Sequence, residues 1–309
     1  MSRIHEALKK AEQERAATQG SLQPSFAATP LADSPVFAET PAATMAPLAP
    51  AHPGMPAFAS PFSTDTLLAR CAQLEWNPDP TTMLFLNGDD NARGTEEYRT
   101  LRSRLYHLRE KMPLKKLLIT SALPKEGKSF TSSNLAQVMV RQHGRRALLI
   151  DADLRAPHLH TMLGTTSDPG LSDYLMGKND EFSIMQRGPL ENLFFIPSGT
   201  GAADPAELVG NGRLKLLLQR VEPLFDWIII DSPPAVPVSD ASVLAKVCDG
   251  VLMVVRSNAT PFDLARKARQ EFPDQALVGV VLNGTTEDAL PYARYYYESY
   301  QKKATTTQA

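Results

Sequence analysis

A glycine, a lysine and a serine stand in a row at Gly127, Lys128 and Ser129, between an apolar run and a helical pattern. Their spacing follows G-x-x-x-x-G-K-[ST], in which backbone amides and the lysine surround phosphate groups and the hydroxyl binds Mg²⁺. Ala122 replaces the first glycine of this pattern, which alanine can do where φ stays negative. The pattern predicts a phosphate-binding loop; the alternative is a glycine turn before an ordinary helix.

Carboxylates follow two other apolar runs. Asp151 and Asp153 come after Leu148–Ile150, and Asp231 comes after Trp227–Ile230 and before two prolines. Because ligands bind at the carboxyl ends of parallel strands, we expect these side chains beside the loop. There they can hold a metal ion or accept a proton, and Asp231 has the place of a Walker-B carboxylate. The alternative for Asp151 and Asp153 is a solvated strand end.

Asn283 ends a further apolar run and precedes Gly284. Its amide has the donor and acceptor needed to contact an adenine edge. A plain turn residue is an equal alternative, because Asn-Gly is a common turn pair.

The chain ends in a cluster of tyrosines. Five of its eight tyrosines fall within nine residues, at Tyr292, Tyr295, Tyr296, Tyr297 and Tyr300. A strand would point successive rings to opposite faces and a helix would spread them around its circumference, so some rings must face water. A phosphate source and phosphate acceptors in one chain suggest a kinase that modifies its own tail. The alternative is an aromatic tail that docks on a partner.

The elements that must position these residues alternate from about residue 93 onward. Strands are predicted at Lys116–Thr120, Ala147–Ile150, Leu193–Pro197, Trp227–Ile230, Val251–Val255 and Val278–Leu282. Helices are predicted at Thr95–Arg109, Lys128–Gln142, Pro205–Val221, Asp240–Val247 and Pro261–Glu271. Short apolar strands separated by helices predict an α/β domain with a doubly wound, mostly parallel sheet and the P-loop NTPase fold.

Composition divides the chain into a short amphipathic helix at 1–18, a disordered linker at 19–92, the P-loop domain at 93–288 and a tyrosine-rich tail at 289–309. The linker prediction rests on its Pro- and Ala-rich composition, with nine prolines between Pro24 and Pro61. Such a segment buries too little apolar surface to offset the chain entropy lost on folding.

Bulk properties of the 309 residues narrow the class of protein. A net charge of -2 argues against a dedicated nucleic-acid binder. Cys71 and Cys248 have no metal-binding spacing and fit a reducing compartment. Apolar runs have strand length and fall short of the roughly 20 residues that cross a bilayer. We expect a cytoplasmic protein that reaches the inner membrane face through a partner.

Taken together, the motifs resemble those of the bacterial tyrosine kinase (BY-kinase) family. That family controls export of capsule and exopolysaccharide and is unrelated to eukaryotic-type protein kinases. The matching segments are Pro124–Ser129, Asp151–Arg155, Asp231–Pro234 and Tyr292–Tyr300, and Glu96–Arg102 matches the family's E-x-x-R-x-x-R oligomerisation motif. The resemblance covers about residues 93–300.

The resemblance implies ATP and Mg²⁺ and a role for each motif residue. Lys128 would grip phosphate, Ser129 and Asp153 would hold Mg²⁺, Asp231 would order metal-bound water and Asp151 would take the tyrosine proton. The nucleotide site would also include Pro124, Glu126, Gly127, Phe130 and Asn283, and subunits would meet through Glu96, Arg99 and Arg102.

The implied activity is an ATP-dependent protein-tyrosine autokinase that phosphorylates the tail of a neighbouring subunit in a homo-oligomer. Its implied partners are a membrane-embedded polysaccharide co-polymerase that activates it and a cognate tyrosine phosphatase. The N-terminal extension looks like that of exosortase-associated kinases.

Two other functions remain open. One is a partition-type ATPase that switches oligomeric state without phosphorylating tyrosine, a class that carries a lysine at the position of Leu123. The other is a non-catalytic nucleotide-binding regulator, against which the intact lysine, serine and carboxylates argue.

Overall fold

The computed structural model describes residues 63–85, 94–201 and 203–285, and these fold around an eight-stranded sheet. Its strands are β1 Ala72–Gln73, β2 Lys116–Ser121, β3 Ala147–Asp151, β4 Gln186–Arg187, β5 Leu193–Ile196, β6 Trp227–Asp231, β7 Gly250–Arg256 and β8 Leu277–Asn283. They lie in the order β1-β4-β5-β3-β6-β2-β7-β8. Every described pair is parallel except β4 with β5, so the predicted mostly parallel sheet is confirmed.

Helices cover both faces of this sheet. They are α1 Thr64–Arg70, α2 Thr95–Arg109, α3 Lys128–Val140, α4 Leu159–Leu163, α5 Leu171–Leu175, α6 Pro205–Gly210, α7 Arg213–Val221, α8 Asp240–Ala245 and α9 Phe262–Gln270. Alternate residues of β6 enter different cores: Ile228 and Ile230 pack in one apolar cluster, Trp227 and Ile229 in the other. Among the described helices, none combines the length and the apolar character that a membrane span requires.

The predicted strands were all found, whereas one predicted helix was wrong in extent. The segment Pro205–Val221 forms two helices, α6 and α7, rather than one. Gly212 caps α7 with φ of 82°, a left-handed conformation that a continuing helix cannot contain. The pair of glycines around Asn211 was the sequence feature that marked this break.

The linker predicted at 19–92 was wrong for residues 63–85, which belong to the folded domain. Leu67, Met83 and Phe85 are at most 1% exposed, and β1 pairs with β4. The apolar residues of this segment lack a regular period, because its helix and strand are short and most of it docks as irregular chain. Sequence periodicity therefore gave no indication that the segment folds.

Partly buried hydrogen bonds fix part of this segment to α3. The Asn134 side chain accepts a bond from the Leu84 amide at 2.8 Å and donates to the Thr82 carbonyl at 2.8 Å. The helix predicted at 1–18, the rest of the predicted linker and the tail at 289–309 lie outside the described residues.

The strand order brings the motif residues together. The loop strand β2 lies between β6 and β7, and β3 lies on the far side of β6. In the β3–β6 ladder Asp151 is paired with Asp231, and in the β2–β6 ladder Ile119 is paired with Asp231. Both carboxylates therefore lie at the edge of the sheet where the P-loop begins.

Candidate active site

The loop between β2 and α3 has the backbone of a phosphate-binding loop. Lys125 and Gly127 have positive φ angles, 66° and 95°, and α3 begins directly after them at Lys128. Ala122 is buried and is not among the residues with positive φ, so alanine fits there as expected. The amides at the start of α3 and the helix dipole favour an anion at this point.

Lys128 lies among carboxylates. Its Nζ is 2.7 Å from Asp153 Oδ2 and 4.0 Å from Asp231 Oδ2. Burial acts to lower the pKa of Lys128, but attraction to Asp231 and Asp153 outweighs it and raises the pKa above its ordinary value. The lysine is therefore charged, and Asp153 holds it within the site.

Asp231 is held by two hydroxyls of α3. Ser129 donates to its Oδ2 at 2.6 Å and Ser132 donates to its Oδ1 at 2.8 Å. Burial raises the pKa of Asp231, and Lys128 and the two hydroxyls oppose that rise. The sequence reasoning missed Ser132. Its position three residues after Ser129, one helical turn along, was the available indication.

The described hydrogen bonds of the Asp151 side chain all come from backbone amides. Its carboxylate accepts the amides of Asp153 and Leu159, each at 3.2 Å. Complete burial raises the pKa of Asp151 well above its usual range, and the charge of Asp231 adds to the effect. A carboxylate in this state holds a proton more readily than an exposed one, which suits a general base.

The segment after β3 is tied to α8. Arg155 donates to both oxygens of Asp240, at 2.7 and 3.0 Å, and Asp240 is 1% exposed. The bidentate pair fixes the course of the chain that covers Asp151. The sequence motif contained Arg155, but nothing in the sequence identified its partner.

The segment after Asp231 continues beside the loop strand. Ser232 donates to the Ile119 carbonyl, and the Ala235 amide donates to the Ser121 carbonyl at 2.8 Å. Strand β6 ends at Asp231, as the two following prolines predicted. These bonds hold the Walker-B carboxylate against the P-loop.

Comparisons with known proteins agree with this geometry. The family model of the AAA domain matches residues 125–263. The chain is 36% identical over 192 residues to the tyrosine-protein kinase YwqD of Bacillus subtilis, covering 62% of this chain and 81% of that protein. This chain belongs to the bacterial tyrosine-protein kinase family.

Two further similarities support the membership. The tyrosine-protein kinase wzc of Salmonella typhimurium is 31% identical over 222 residues, which are 71% of this chain but only 31% of that protein. The kinase domain of the Escherichia coli tyrosine kinase ETK has a TM-score of 0.61 and 28% identity, covering 70% of this chain and 90% of that one. The enzyme is a protein-tyrosine kinase with a nucleotide-binding P-loop.

The remaining predicted nucleotide contacts lie around the kinase's P-loop. Glu126 is buried, and Asn283 donates from Nδ2 to the Glu126 carbonyl at 2.9 Å. Pro124 is exposed on the loop. The Phe130 ring packs toward α2, with its centroid 6.2 Å from that of Tyr98. Direct contact of these residues with nucleotide stays a prediction.

The residues predicted to join subunits lie on α2 of the kinase but do not act alike. Glu96 and Arg99 form an ion pair at 2.7 Å on the helix surface. Arg102 instead turns to α3 and donates to the Val138 carbonyl at 2.9 Å. The five tail tyrosines lie outside the described residues.

Proposed function

We propose that this kinase transfers the γ-phosphate of ATP to tyrosines in the C-terminal tail of a neighbouring copy of itself. The observation that best supports the proposal is the grouping of Lys128 with the buried carboxylates of Asp151, Asp153 and Asp231. Phosphoryl transfer needs a cation facing the phosphate charge, a proton acceptor and ligands for a metal ion. These four side chains supply all three.

Transfer forms a bond between the tyrosine oxygen and the γ-phosphorus, and the bond from that phosphorus to the β–γ bridging oxygen breaks. ADP leaves with the electron pair, and the phenol proton passes to Asp151. Lys128 faces the charge that develops on the phosphate oxygens, where a fixed cation lowers the barrier most.

Access to Asp151 requires movement, because its carboxylate is 0% exposed under residues 152–159. The ion pair of Lys128 with Asp153 ties this segment to α3. When Lys128 turns to phosphate, this pair would open and loosen the segment near Asp153, while the Arg155–Asp240 pair still anchors it. A tyrosine hydroxyl could then approach Asp151. Nucleotide binding would thereby precede access of the acceptor.

The chemistry of the side chains fits Mg²⁺. Ser129, Asp153 and Asp231 offer the oxygen ligands that this ion prefers, and the carboxylates outnumber the one lysine beside them. Mg²⁺ is commonly bound by one or two carboxylates together with the phosphates of a substrate. Ser129 and Asp153 would hold it, and Asp231 would order water around it. Bound Mg²⁺ would neutralise phosphate charge.

The wider role follows from the family resemblance. We infer a cytoplasmic homo-oligomer that is recruited and activated by a membrane-embedded polysaccharide co-polymerase. Tail phosphorylation would regulate polysaccharide polymerisation and export, and a cognate phosphatase would reverse it.

The direct test is incubation of purified protein with labelled ATP and Mg²⁺, with and without residues 290–309, followed by phosphoamino-acid mapping. We expect phosphotyrosine within the tail of the full chain and little label on the truncated one. Release of ADP and phosphate with unlabelled tyrosines would instead indicate the partition-type ATPase.

A further inference from the structure

The outer side of the P-loop is held by the ends of the last two strands. Arg256, at the end of β7, donates from Nη1 to the Lys125 carbonyl at 3.2 Å. Asn283, at the end of β8, donates from Nδ2 to the Glu126 carbonyl at 2.9 Å. Both contacts reach the stretch of loop whose backbone has positive φ.

Glu126 places a carboxylate in a loop that receives anions, yet its side chain is only 3% exposed. One of its oxygens accepts the Leu123 amide at 2.8 Å, and the other accepts the Thr260 hydroxyl. Thr260 in turn accepts the Arg256 amide at 3.1 Å. The carboxylate therefore connects the loop to the turn after β7.

Asn283 also packs directly against Gly127. A Cβ added to Gly127 would overlap the Asn283 side-chain nitrogen. The Asn283 carbonyl accepts the Ser257 amide at 2.8 Å, which links the ends of β7 and β8. The side-chain nitrogen of Asn283 thus donates to the loop, a contact that the sequence did not predict.

We propose that Arg256, Thr260 and Asn283 are positioning residues that hold the P-loop in its phosphate-binding conformation before nucleotide arrives. In this proposal the Glu126 carboxylate accepts the contacts that hold the loop, a role that replaces the nucleotide contact expected for it. The statement that the held conformation binds phosphate rests on the proposed function, whereas the statement that these residues hold the loop does not. The role differs from the adenine contact expected for Asn283.

The physical reason for a brace lies in the loop backbone. Lys125 is a non-glycine residue in the left-handed region, a conformation that persists only where the surroundings over-determine it. Without the three contacts the loop would sample other conformations, and nucleotide would have to order it on binding. The apparent affinity is proportional to the fraction of molecules whose loop already has the phosphate-binding conformation, so a smaller fraction means weaker binding.

Thr260 offers the best-matched pair of variants. Thr260→Val removes the hydroxyl and keeps the shape, whereas Thr260→Ser keeps the hydroxyl. We expect Thr260→Val to weaken ADP and ATP binding by about tenfold in calorimetry, the effect of losing the partly buried hydrogen bond from Thr260 to the Glu126 carboxylate. Thr260→Ser should bind as wild type does. Equal affinities for both variants would overturn the brace.

Base selectivity separates positioning from base recognition at Asn283. Asn283→Ala should weaken ATP and GTP binding by the same factor, because a mobile loop harms every phosphate chain alike. A loss confined to ATP would show that Asn283 contacts the adenine, and unchanged binding of both would show that it braces nothing. Either result overturns the proposal for this residue.

Hydrogen exchange tests the brace independently of phosphoryl transfer. In protein without nucleotide, amides of residues 121–128 should exchange faster in Thr260→Val and Asn283→Ala than in wild type or Thr260→Ser, while amides of β3 stay unchanged. If these amides exchange at the wild-type rate in both variants, the inference is overturned even where the kinase is fully active. Missing phosphotyrosine in the wild-type protein, with this exchange pattern present, would instead overturn only the proposed function.

Discussion

At the scale of single residues, the site works through charges kept out of water. Asp151, Asp153 and Asp231 are each at most 2% exposed, and Lys128 Nζ lies 2.7 Å from Asp153 and 4.0 Å from Asp231. Buried carboxylates cost free energy unless a partner neutralises them. We therefore expect the site to exchange its internal ion pair for phosphate and a divalent ion.

Removing the lysine should abolish transfer. Lys128→Met deletes the charge that faces the phosphate, so tail phosphorylation should fall by about 10²- to 10³-fold while circular dichroism stays native. Lys267→Met, an exposed change on α9, is the matched control and should phosphorylate as wild type does. Full phosphorylation by folded Lys128→Met would exclude the P-loop from the mechanism.

The pKa of Asp151 predicts a pH dependence of stability. Burial raises this pKa above its value in the unfolded chain, so the folded state loses stability as pH rises through the raised pKa. Asp151→Asn has no such titration, and its free energy of unfolding relative to wild type should therefore increase from pH 5 to pH 8. Urea unfolding at both pH values measures the difference. A difference that stays constant or shrinks would contradict the pKa direction.

At the scale of elements, the apolar pattern predicted the central strands because they are short continuous runs buried on both faces, and the Gly127–Ser129 motif marked the start of the P-loop helix. The apolar pattern failed where burial is irregular. The short helix α1 and the chain up to Phe85 have no repeating apolar pattern, and glycines around Asn211 divided a segment whose apolar spacing looked continuous. In the active site, adjacent strand ends were predictable from the fold class, and Ser132 could have been found from its spacing to Ser129. Asp240 and Thr260 depend on tertiary contacts that no local motif encodes.

Helix α2 gives a prediction that separates assembly from packing. Glu96→Ala with Arg99→Ala should lower the oligomer mass in light scattering and leave the thermal transition nearly unchanged, because that pair is on the surface. Arg102→Ala should cost about 1 kcal/mol of stability through its lost bond to the Val138 carbonyl. Arg104→Ala, an exposed change on the same helix, is the control. Unchanged mass in the double variant would leave these residues as surface charge.

At the scale of the whole molecule, we propose that phosphorylation of the tail acts as a charge switch on the kinase. Each tail phosphate adds roughly 1.5–2 negative charges, which repel one another and the carboxylates of the site. A phosphorylated tail should therefore leave a neighbour's active site and loosen the oligomer.

Sedimentation measures this switch. At matched salt, unphosphorylated protein with nucleotide and Mg²⁺ should be oligomeric, and heavily phosphorylated protein mainly monomeric. Replacing all five tail tyrosines by phenylalanine should keep the oligomer after incubation with ATP. Equal mass for both wild-type forms would mean that tail phosphates act on another partner.

We propose that one copy of the kinase phosphorylates the tail of another. Otherwise wild-type protein that lacks residues 290–309 keeps the active site but has no tail tyrosines. Full-length Lys128→Met keeps the tail tyrosines but has no working active site. Neither should gain phosphotyrosine alone. Mixed with ATP and Mg²⁺, the pair should place phosphotyrosine on the Lys128→Met chain, at tail positions identified by mass spectrometry. An unlabelled Lys128→Met chain in the mixture, beside a wild-type protein that labels its own tail, would contradict transfer between subunits.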